Sequence, residues 1–163
     1  MKNDRVFSDR LNLLDAKLDK ILEILTADKQ PVAELAADPH PWLTAMLAYE
    51  GKDEVDDNAE LTDFLGIDPE DTPWCAAMVT SCLKACGKPA LGLRARDYAT
   101  YGEEGDGAVG DIAVWRSHVG LVIDAHEVIG GNVSNHVARS PHPNNPDGKK
   151  DWFRNFIGFR RVV

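Results

Sequence analysis

The first thirty residues carry large apolar side chains in a heptad pattern. These side chains recur at alternating steps of four and three, with charged residues between them. The row comprises Phe7, Leu11, Leu14, Leu18, Ile21 and Leu25. The pattern predicts an amphipathic, coiled-coil helix over residues 1–28, and we expect a homo-oligomer formed through residues 7–25. Folding of this helix onto the rest of the chain is the alternative.

The heptad pattern stops in a stretch that contains three prolines, at positions 31, 39 and 41. Prolines interrupt helices and are common in linkers. We therefore predict a linker over residues 29–41 and a separate domain over residues 42–163.

In this domain, helical apolar patterns come first and strand-like patterns follow. Helices are predicted at about 42–50 and 58–65, then over the segment WCAAMVTSCLKAC up to Gly87, and at 94–101. A glycine-rich turn, GEEGDGAVGD, precedes the strands. Strands are predicted at 111–115, 118–124, 126–130, 134–139 and 155–162. This order favours an α+β domain with helices packed on an antiparallel sheet.

Composition and charge narrow the choice of function. The chain has 163 residues, of which 44% are hydrophobic, enough to bury one core. Its formal charge of −9 disfavours nucleic acid as a partner, because phosphate binding needs a basic face. No apolar stretch is long enough to predict a membrane span. The acidity also gives no attraction toward anionic polymers of any kind.

The chain contains three cysteines, all on one predicted helix. An odd number on one helix argues against a disulfide framework. The residues before the heptad row lack the apolar segment of a secretory signal. We therefore expect synthesis in a reducing cytoplasm. Cys82 and Cys86 are predicted to pack in the core, since their spacing does not match a zinc site. Neither a metal nor a cofactor is predicted.

Cys75 is the candidate nucleophile. Asp71 and Thr72 are suited to cap the helix and Pro73 to be its first residue, so Cys75 falls in the first turn. There the helix dipole and free backbone N–H groups favour a thiolate and can hold an oxyanion. The alternative is a small buried core residue.

His118 is the candidate base. GDIAVW and HVGLVID predict two strands of a hairpin, and His118 begins the second. A nearby imidazole can carry the proton of a nucleophilic thiol. The other histidines are expected on the surface, and His136 is the one serious rival. These four are His40, His126, His136 and His142.

Asn132 is the candidate orienting residue, because it follows Gly130 and Gly131 shortly after the predicted base strand. An amide there can fix the tautomer of the imidazole, as the third member of a catalytic triad does. A plain turn asparagine is the alternative, and Asn135 could take the same role.

Three aromatic residues lie near these motifs and are predicted to line a groove for sugar or peptide. They are Trp74, Trp115 and Tyr98. Core packing is the alternative, above all for Trp74.

From about Trp42 to Val163 the chain resembles the NlpC-like and CHAP group of small peptidoglycan-cleaving cysteine hydrolases, in particular those of phages and prophages. The strings TPWCAAMV, ARDYATYG, GDIAVW, HVGLV, VIGGNVSN and IGFRRV match this group in order. The resemblance implies a papain-like fold with Cys75 as nucleophile, His118 as base and Asn132 as orienting residue. The segment YEGKDEVDDNAELTDFLG matches only in part and lacks the Asn-Pro of the group.

These observations lead to a hypothesis of function. We expect a peptidoglycan hydrolase that cuts an amide bond, as an endopeptidase or an N-acetylmuramoyl-L-alanine amidase, by a Cys-His-Asn mechanism. It would act on the wall, in the periplasm or outside the cell, after release or delivery from the cytoplasm. The alternatives are a non-catalytic wall-binding or phage or secretion assembly module, and a cysteine protease with a protein substrate.

Overall fold

Helices precede strands in the described residues, as the sequence predicts. The computed structural model describes residues 38–145 and 155–163. The α-helices are α1 (Pro41–Leu47), α2 (Asn58–Leu65) and α3 (Cys75–Ala85), followed by a 3₁₀ helix at Ala95–Thr100. The strands are β1 (Glu103–Gly105), β2 (Ile112–Trp115), β3 (Val119–Val122), β4 (Glu127–Val133), β5 (His136–Pro141) and β6 (Phe156–Arg161). The predicted α+β class is confirmed.

The heptad row lies outside the described residues, so its helix and the oligomer stay predictions. Contacts between Cα atoms divide the chain into the units Met1–Pro39 and His40–Val163. All the elements named above belong to the second unit. None of the helices in the described residues is both long and apolar enough to cross a lipid bilayer.

The strands form one antiparallel sheet in the order β1-β6-β2-β3-β4-β5 within the described residues. The predicted β2–β3 hairpin is present, with Ile112 opposite Leu121. Strand β1 was not predicted, because Glu103–Gly105 lies in the glycine-rich segment that we interpreted as a turn. It pairs with β6, with Gly105 opposite Phe159.

The core lies mainly between the helices and one face of the sheet. Alternate residues of a strand point to opposite faces, and β2 follows this rule. Ile112 and Val114 pack in the large cluster with α3, whereas Ala113 and Trp115 join a smaller cluster with Phe159. The sheet therefore separates two apolar layers of unequal size.

Helix α3 is the central helix of the large cluster. Its residues from Cys75 to Leu83 are all buried. It ends as predicted, because Gly87 has a left-handed φ of 68° and its N–H bonds to the carbonyl of Lys84 at 3.0 Å. The N–H of Lys88 bonds to Leu83 at 2.9 Å, which completes a Schellman motif.

The segment before α2 continues the sheet beyond β5. The N–H of Gly51 donates to the carbonyl of Val137 at 2.8 Å, and the N–H of Val137 donates to Lys52 at 2.9 Å. The N–H of Glu54 donates to the carbonyl of Asn135 at 3.0 Å. These bonds hold the acidic loop around Glu54 against the turn between β4 and β5.

Candidate active site

Cys75 is the first residue of α3, so the predicted first-turn position is confirmed. The predicted cap is wrong. The N-cap residue is Trp74, and it makes no side-chain capping bond within the described residues. Asp71 and Thr72 are exposed and make no capping bond in the described part of the chain, and Pro73 precedes the N-cap residue, so it is not the first residue of the helix as predicted. The N-terminal turn of α3 is therefore held by other contacts.

The sulfur of Cys75 lies at the start of β3. Cys75 is only 5% exposed, and the nearby backbone N–H groups of Val119, Ala76 and Cys75 itself act to lower the pKa of its thiol. Because Val119 is the first residue of β3, this contact joins the nucleophile helix to the residue directly after His118. The structure thus brings the helix start and the strand start together, as the thiol–imidazole hypothesis requires.

Burial sets the protonation state of the thiol. It raises the pKa of Cys75 above its ordinary value, and the three backbone N–H groups offset only part of this effect. A thiolate buried away from water loses more solvation than these donors return. At the first turn of α3, burial therefore outweighs the backbone donors, and the neutral thiol of Cys75 is favoured over the expected thiolate.

His118 lies in the tight turn between β2 and β3. Its carbonyl accepts the N–H of Trp115 at 2.8 Å, and the two rings are 5.7 Å apart between centroids. Burial lowers the pKa of His118 to about 4, because the protonated imidazole loses its solvation. At neutral pH the ring is therefore uncharged and able to accept a proton.

Two consecutive glycines of β4, Gly130 and Gly131, leave space for the side chains of His118 and Trp74. A Cβ at Gly130 would lie 2.8 Å from Nε2 of His118. A Cβ at Gly131 would lie 2.6 Å from the ring of Trp74 and 2.9 Å from Cβ of Met78. All three distances are shorter than a Cβ can approach, so side chains here would displace His118, Trp74 or Met78. Sequence reasoning used these glycines only to locate Asn132.

Asn132 lies at the irregular end of β4. Strand β3 pairs with β4 through Leu121 opposite Ile129, and continuing this register by three residues brings Asn132 opposite His118. Asn132 is half-buried, with a left-handed φ of 57°, and the pairing of β4 with β5 shifts between Gly130 and Val133. The orienting role of Asn132 stays a prediction.

The rival Asn135 is in the turn that follows β4. It also has a left-handed backbone, with φ of 69°, and it is exposed. Its carbonyl accepts the N–H of Glu54. Of the two asparagines, the half-buried Asn132 fits an orienting role better.

The three aromatic residues proposed to line a groove are all in the core. Trp74 and Tyr98 are 0% exposed and Trp115 is 2% exposed. The indole N–H of Trp74 donates to the carboxylate of Glu54 at 2.9 Å, and the hydroxyl of Tyr98 is 2.7 Å from that of Thr80. Burial favours core packing, the alternative given above, and substrate contact by these rings stays a prediction.

The remaining histidines differ from His118 in their contacts. His136, the rival base, is exposed, and its Nε2 is 3.1 Å from the carboxylate of Asp53. His142 is buried, not exposed as expected, and stacks on Phe159 with Nε2 3.3 Å from the carbonyl of Gly107. Among the histidines whose contacts are described, His118 is the one that adjoins Val119, whose backbone N–H affects the pKa of Cys75.

Glu54 is the residue of this region that sequence reasoning missed. It belongs to the acidic segment that matches the family pattern only in part. A buried indole N–H usually finds a hydrogen-bond acceptor. Trp74 therefore indicated that such an acceptor exists, but the sequence did not identify it as Glu54. Among the described residues, no group of three or more His, Cys, Asp or Glu side chains could hold a metal ion.

No protein-family model matches the chain, and no curated protein matches it. The argument for function therefore depends on the sequence motifs and on the geometry described above.

Proposed function

We propose that the protein is a cysteine hydrolase that cleaves an amide bond of bacterial peptidoglycan. The observation that carries the proposal is that the backbone N–H of Val119, the residue directly after His118, lies near enough to the thiol of Cys75 to lower its pKa. It supports a helix start that carries the thiol beside the strand start that the imidazole precedes. A thiol and a neutral imidazole in this relation form a nucleophile and its base.

The chemistry follows from the two neutral groups. As the Cys75 sulfur attacks the carbonyl carbon, His118 takes the thiol proton. The backbone N–H groups of Cys75 and Ala76 stabilise the oxyanion. His118 then gives its proton to the leaving amine as the C–N bond breaks, which leaves a thioester. Water attacks the thioester with His118 again as base, and the products are a carboxylic acid and the restored thiol.

The architecture supports a papain-like arrangement. A buried helix with cysteine as its first residue packs on an antiparallel sheet, and the histidine precedes a strand of that sheet. We propose that Asn132 orients the imidazole, since Asn132 and His118 each lie three residues beyond the pair formed by Ile129 and Leu121 on neighbouring strands. The same constellation occurs on unrelated folds, so the function is argued from the site.

Peptidoglycan is proposed as the substrate on the basis of the motif strings. Those around Cys75, His118 and Asn132 occur in the order found in the NlpC-like and CHAP hydrolases. We propose that the protein is made in the cytoplasm and reaches the wall after release or delivery. Neither a metal nor a cofactor takes part in the proposed reaction.

Digestion of purified peptidoglycan tests the proposal. The protein, its Cys75→Ala variant and its Cys82→Ala variant are compared, and soluble products are identified by mass spectrometry. We expect new amine and carboxyl termini from the protein and from Cys82→Ala, but none from Cys75→Ala. Release of whole stem peptides identifies an amidase, and cleavage within them an endopeptidase. Full activity of Cys75→Ala would overturn the proposal.

One observation favours the alternative of a non-catalytic wall-binding or assembly module. Cys75 is almost fully buried and its pKa is raised, as in a structural cysteine. Alkylation by iodoacetamide distinguishes the two functions. A nucleophile is modified at Cys75 faster than at Cys82, whereas in a non-catalytic module both thiols react equally slowly. Rapid alkylation without wall cleavage would point instead to a protein substrate.

A further inference from the structure

Trp74, the residue before the nucleophile, is held by its ring face and by its indole N–H. The side chain is fully buried, and its ring packs directly on the backbone of Gly131. The indole N–H donates to Oε2 of Glu54 at 2.9 Å. Because no side chain caps α3 within the described residues, these contacts of Trp74 anchor the first turn of the helix.

Glu54 is itself held from two further directions. Its backbone N–H donates to the carbonyl of Asn135, in the turn between β4 and β5, at 3.0 Å. Its carbonyl accepts the side-chain N–H of Asn58, the first residue of α2, at 3.1 Å. One residue therefore connects three elements: the start of α2, the turn that follows Asn132, and the start of the nucleophile helix.

We propose that Glu54 is a positioning residue for the nucleophile. Through Trp74 it fixes the first turn of α3 relative to the β4–β5 turn. It thereby sets the separation of the Cys75 sulfur from the groups on β3 and β4. The inference rests on the proposed function, since it assigns Glu54 a role only if Cys75 is the nucleophile.

A carboxylate suits this role for a physical reason. A hydrogen bond to a charged acceptor is shorter and stronger than one between neutral groups, so it holds the indole in a narrow range of positions. Glutamine keeps an acceptor oxygen at the same distance along the side chain, whereas alanine leaves the buried N–H without a partner. A displacement of about 1 Å in a reacting group costs about 100-fold in rate.

Four variants of the full chain test the proposal: Glu54→Ala, Glu54→Gln, Trp74→Phe and the double variant Glu54→Ala/Trp74→Phe. We measure kcat and KM on purified peptidoglycan, and the pH dependence of Cys75 alkylation. We expect Glu54→Ala and Trp74→Phe each to lower kcat about 100-fold. The double variant should lose no more than either single change, because both remove the same bond. Glu54→Gln should restore kcat to within about threefold of the parent.

Two control variants separate positioning from simple destabilisation. Glu60→Ala removes an acid from the same region, one that pairs with Lys52 at 2.8 Å and is remote from Trp74 in its contacts. Thr80→Val removes a buried hydroxyl from α3, the helix that also carries Cys75. This hydroxyl donates to the carbonyl of Gly92 at 2.7 Å. Thr80→Val should lower the melting temperature while the pH midpoint of Cys75 alkylation stays unchanged. Glu54→Ala should shift that midpoint.

Two results would overturn the positioning role of Glu54. A Glu54→Ala variant that loses thermal stability but keeps the parent kcat and alkylation profile would overturn the positioning role. So would a Glu54→Gln variant as impaired as Glu54→Ala. Failure of the proposed function has a different signature. The parent then does not cleave peptidoglycan, or Cys75→Ala cleaves it as well as the parent does, whereas an unshifted alkylation midpoint in Glu54→Ala overturns the positioning role in either case.

Discussion

The imidazole of His118 rests against the backbone of Gly130, so closely that a β-carbon at Gly130 would lie 2.8 Å from Nε2. The ring is therefore positioned by the absence of a side chain on the neighbouring strand. At the next residue, Gly131, the ring of Trp74 fills the space that a β-carbon would need. His118 and Trp74, the residue before Cys75, thus both pack against one short piece of β4.

We predict that Gly130→Ala lowers hydrolysis about 100-fold, because the added methyl group displaces the imidazole. Gly158→Ala is the matched control, since a Cβ at Gly158, also in the sheet, would meet no atom within 4 Å. Both proteins are assayed on purified peptidoglycan after circular dichroism has shown that they are folded. Equal activity of the two variants would mean that the ring is not held by this contact.

The resting thiol should react slowly at neutral pH. Burial raises the pKa of Cys75 above its ordinary value and lowers that of His118 to about 4, so the two groups do not form an ion pair at pH 7. We predict that the rate of Cys75 alkylation keeps rising with pH up to and beyond 9.0, the ordinary pKa of a thiol. A rate that reaches its plateau near pH 6, as in a thiolate–imidazolium pair, would contradict this prediction.

The stability of the fold should depend on pH through His118. Its pKa is lowered in the folded protein from 6.5 to about 4, so the unfolded chain binds a proton first as pH falls. Stability is fully present above pH 6.5 and is lost between there and pH 4. The loss reaches about 3 kcal/mol at most, at 1.36 kcal/mol for each pKa unit. Chemical denaturation of the parent and of His118→Gln across this range measures it, and parallel curves would contradict it.

His118 and Asn132 should each matter more than their nearest rivals. We expect His118→Ala to be as damaging as Cys75→Ala, because the two groups act as a unit. His136→Ala should keep activity, since His136 is exposed and pairs with Asp53. An inactive His136→Ala beside an active His118→Ala would reverse the assignment of the base.

The effect of the orienting residue should be milder than that of the base. Asn132→Ala removes a group that holds the imidazole without taking part in bond making, so we expect a partial loss of kcat. Asn135→Ala leaves intact the backbone carbonyl through which Asn135 accepts the N–H of Glu54, and its activity should stay near that of the parent. A larger loss of activity in Asn135→Ala than in Asn132→Ala would assign the orienting role to Asn135 instead.

The N-terminal heptad row predicts that the full chain is oligomeric. Left alone, the row from Phe7 to Leu25 would expose large apolar side chains. A chain that begins near His40 should be monomeric and should still cleave peptidoglycan. Light scattering coupled to size exclusion measures the oligomeric state of both chains. A monomeric full-length chain would contradict the predicted oligomer, and loss of cleavage on truncation would assign the helix to the catalytic domain.

The elements were predictable where local sequence decides the structure. The end of α3 at Gly87 depends on a left-handed residue, which glycine supplies best. The β2–β3 hairpin depends on two apolar runs with polar residues between them. Each of these signals is contained in a few neighbouring residues, and no distant contact is needed to read it.

The environment of the site was not predictable in this way. The direction of the Cys75 pKa shift depends on how deeply the sulfur is buried, which the whole core decides. The bond from Trp74 to Glu54 joins residues twenty positions apart, in a loop without a periodic pattern. Strand β1 forms because β6 offers it an edge, although its own sequence is that of a turn.

The location of β6 has a consequence for how the chain folds during synthesis. β6 follows β5 in the sequence but lies between β1 and β2 in the sheet. Among the described strands, β1 has no partner and β2 has an open edge until β6 has been synthesised. The sheet is therefore completed only when the last of these strands is in place, as a single late event in folding.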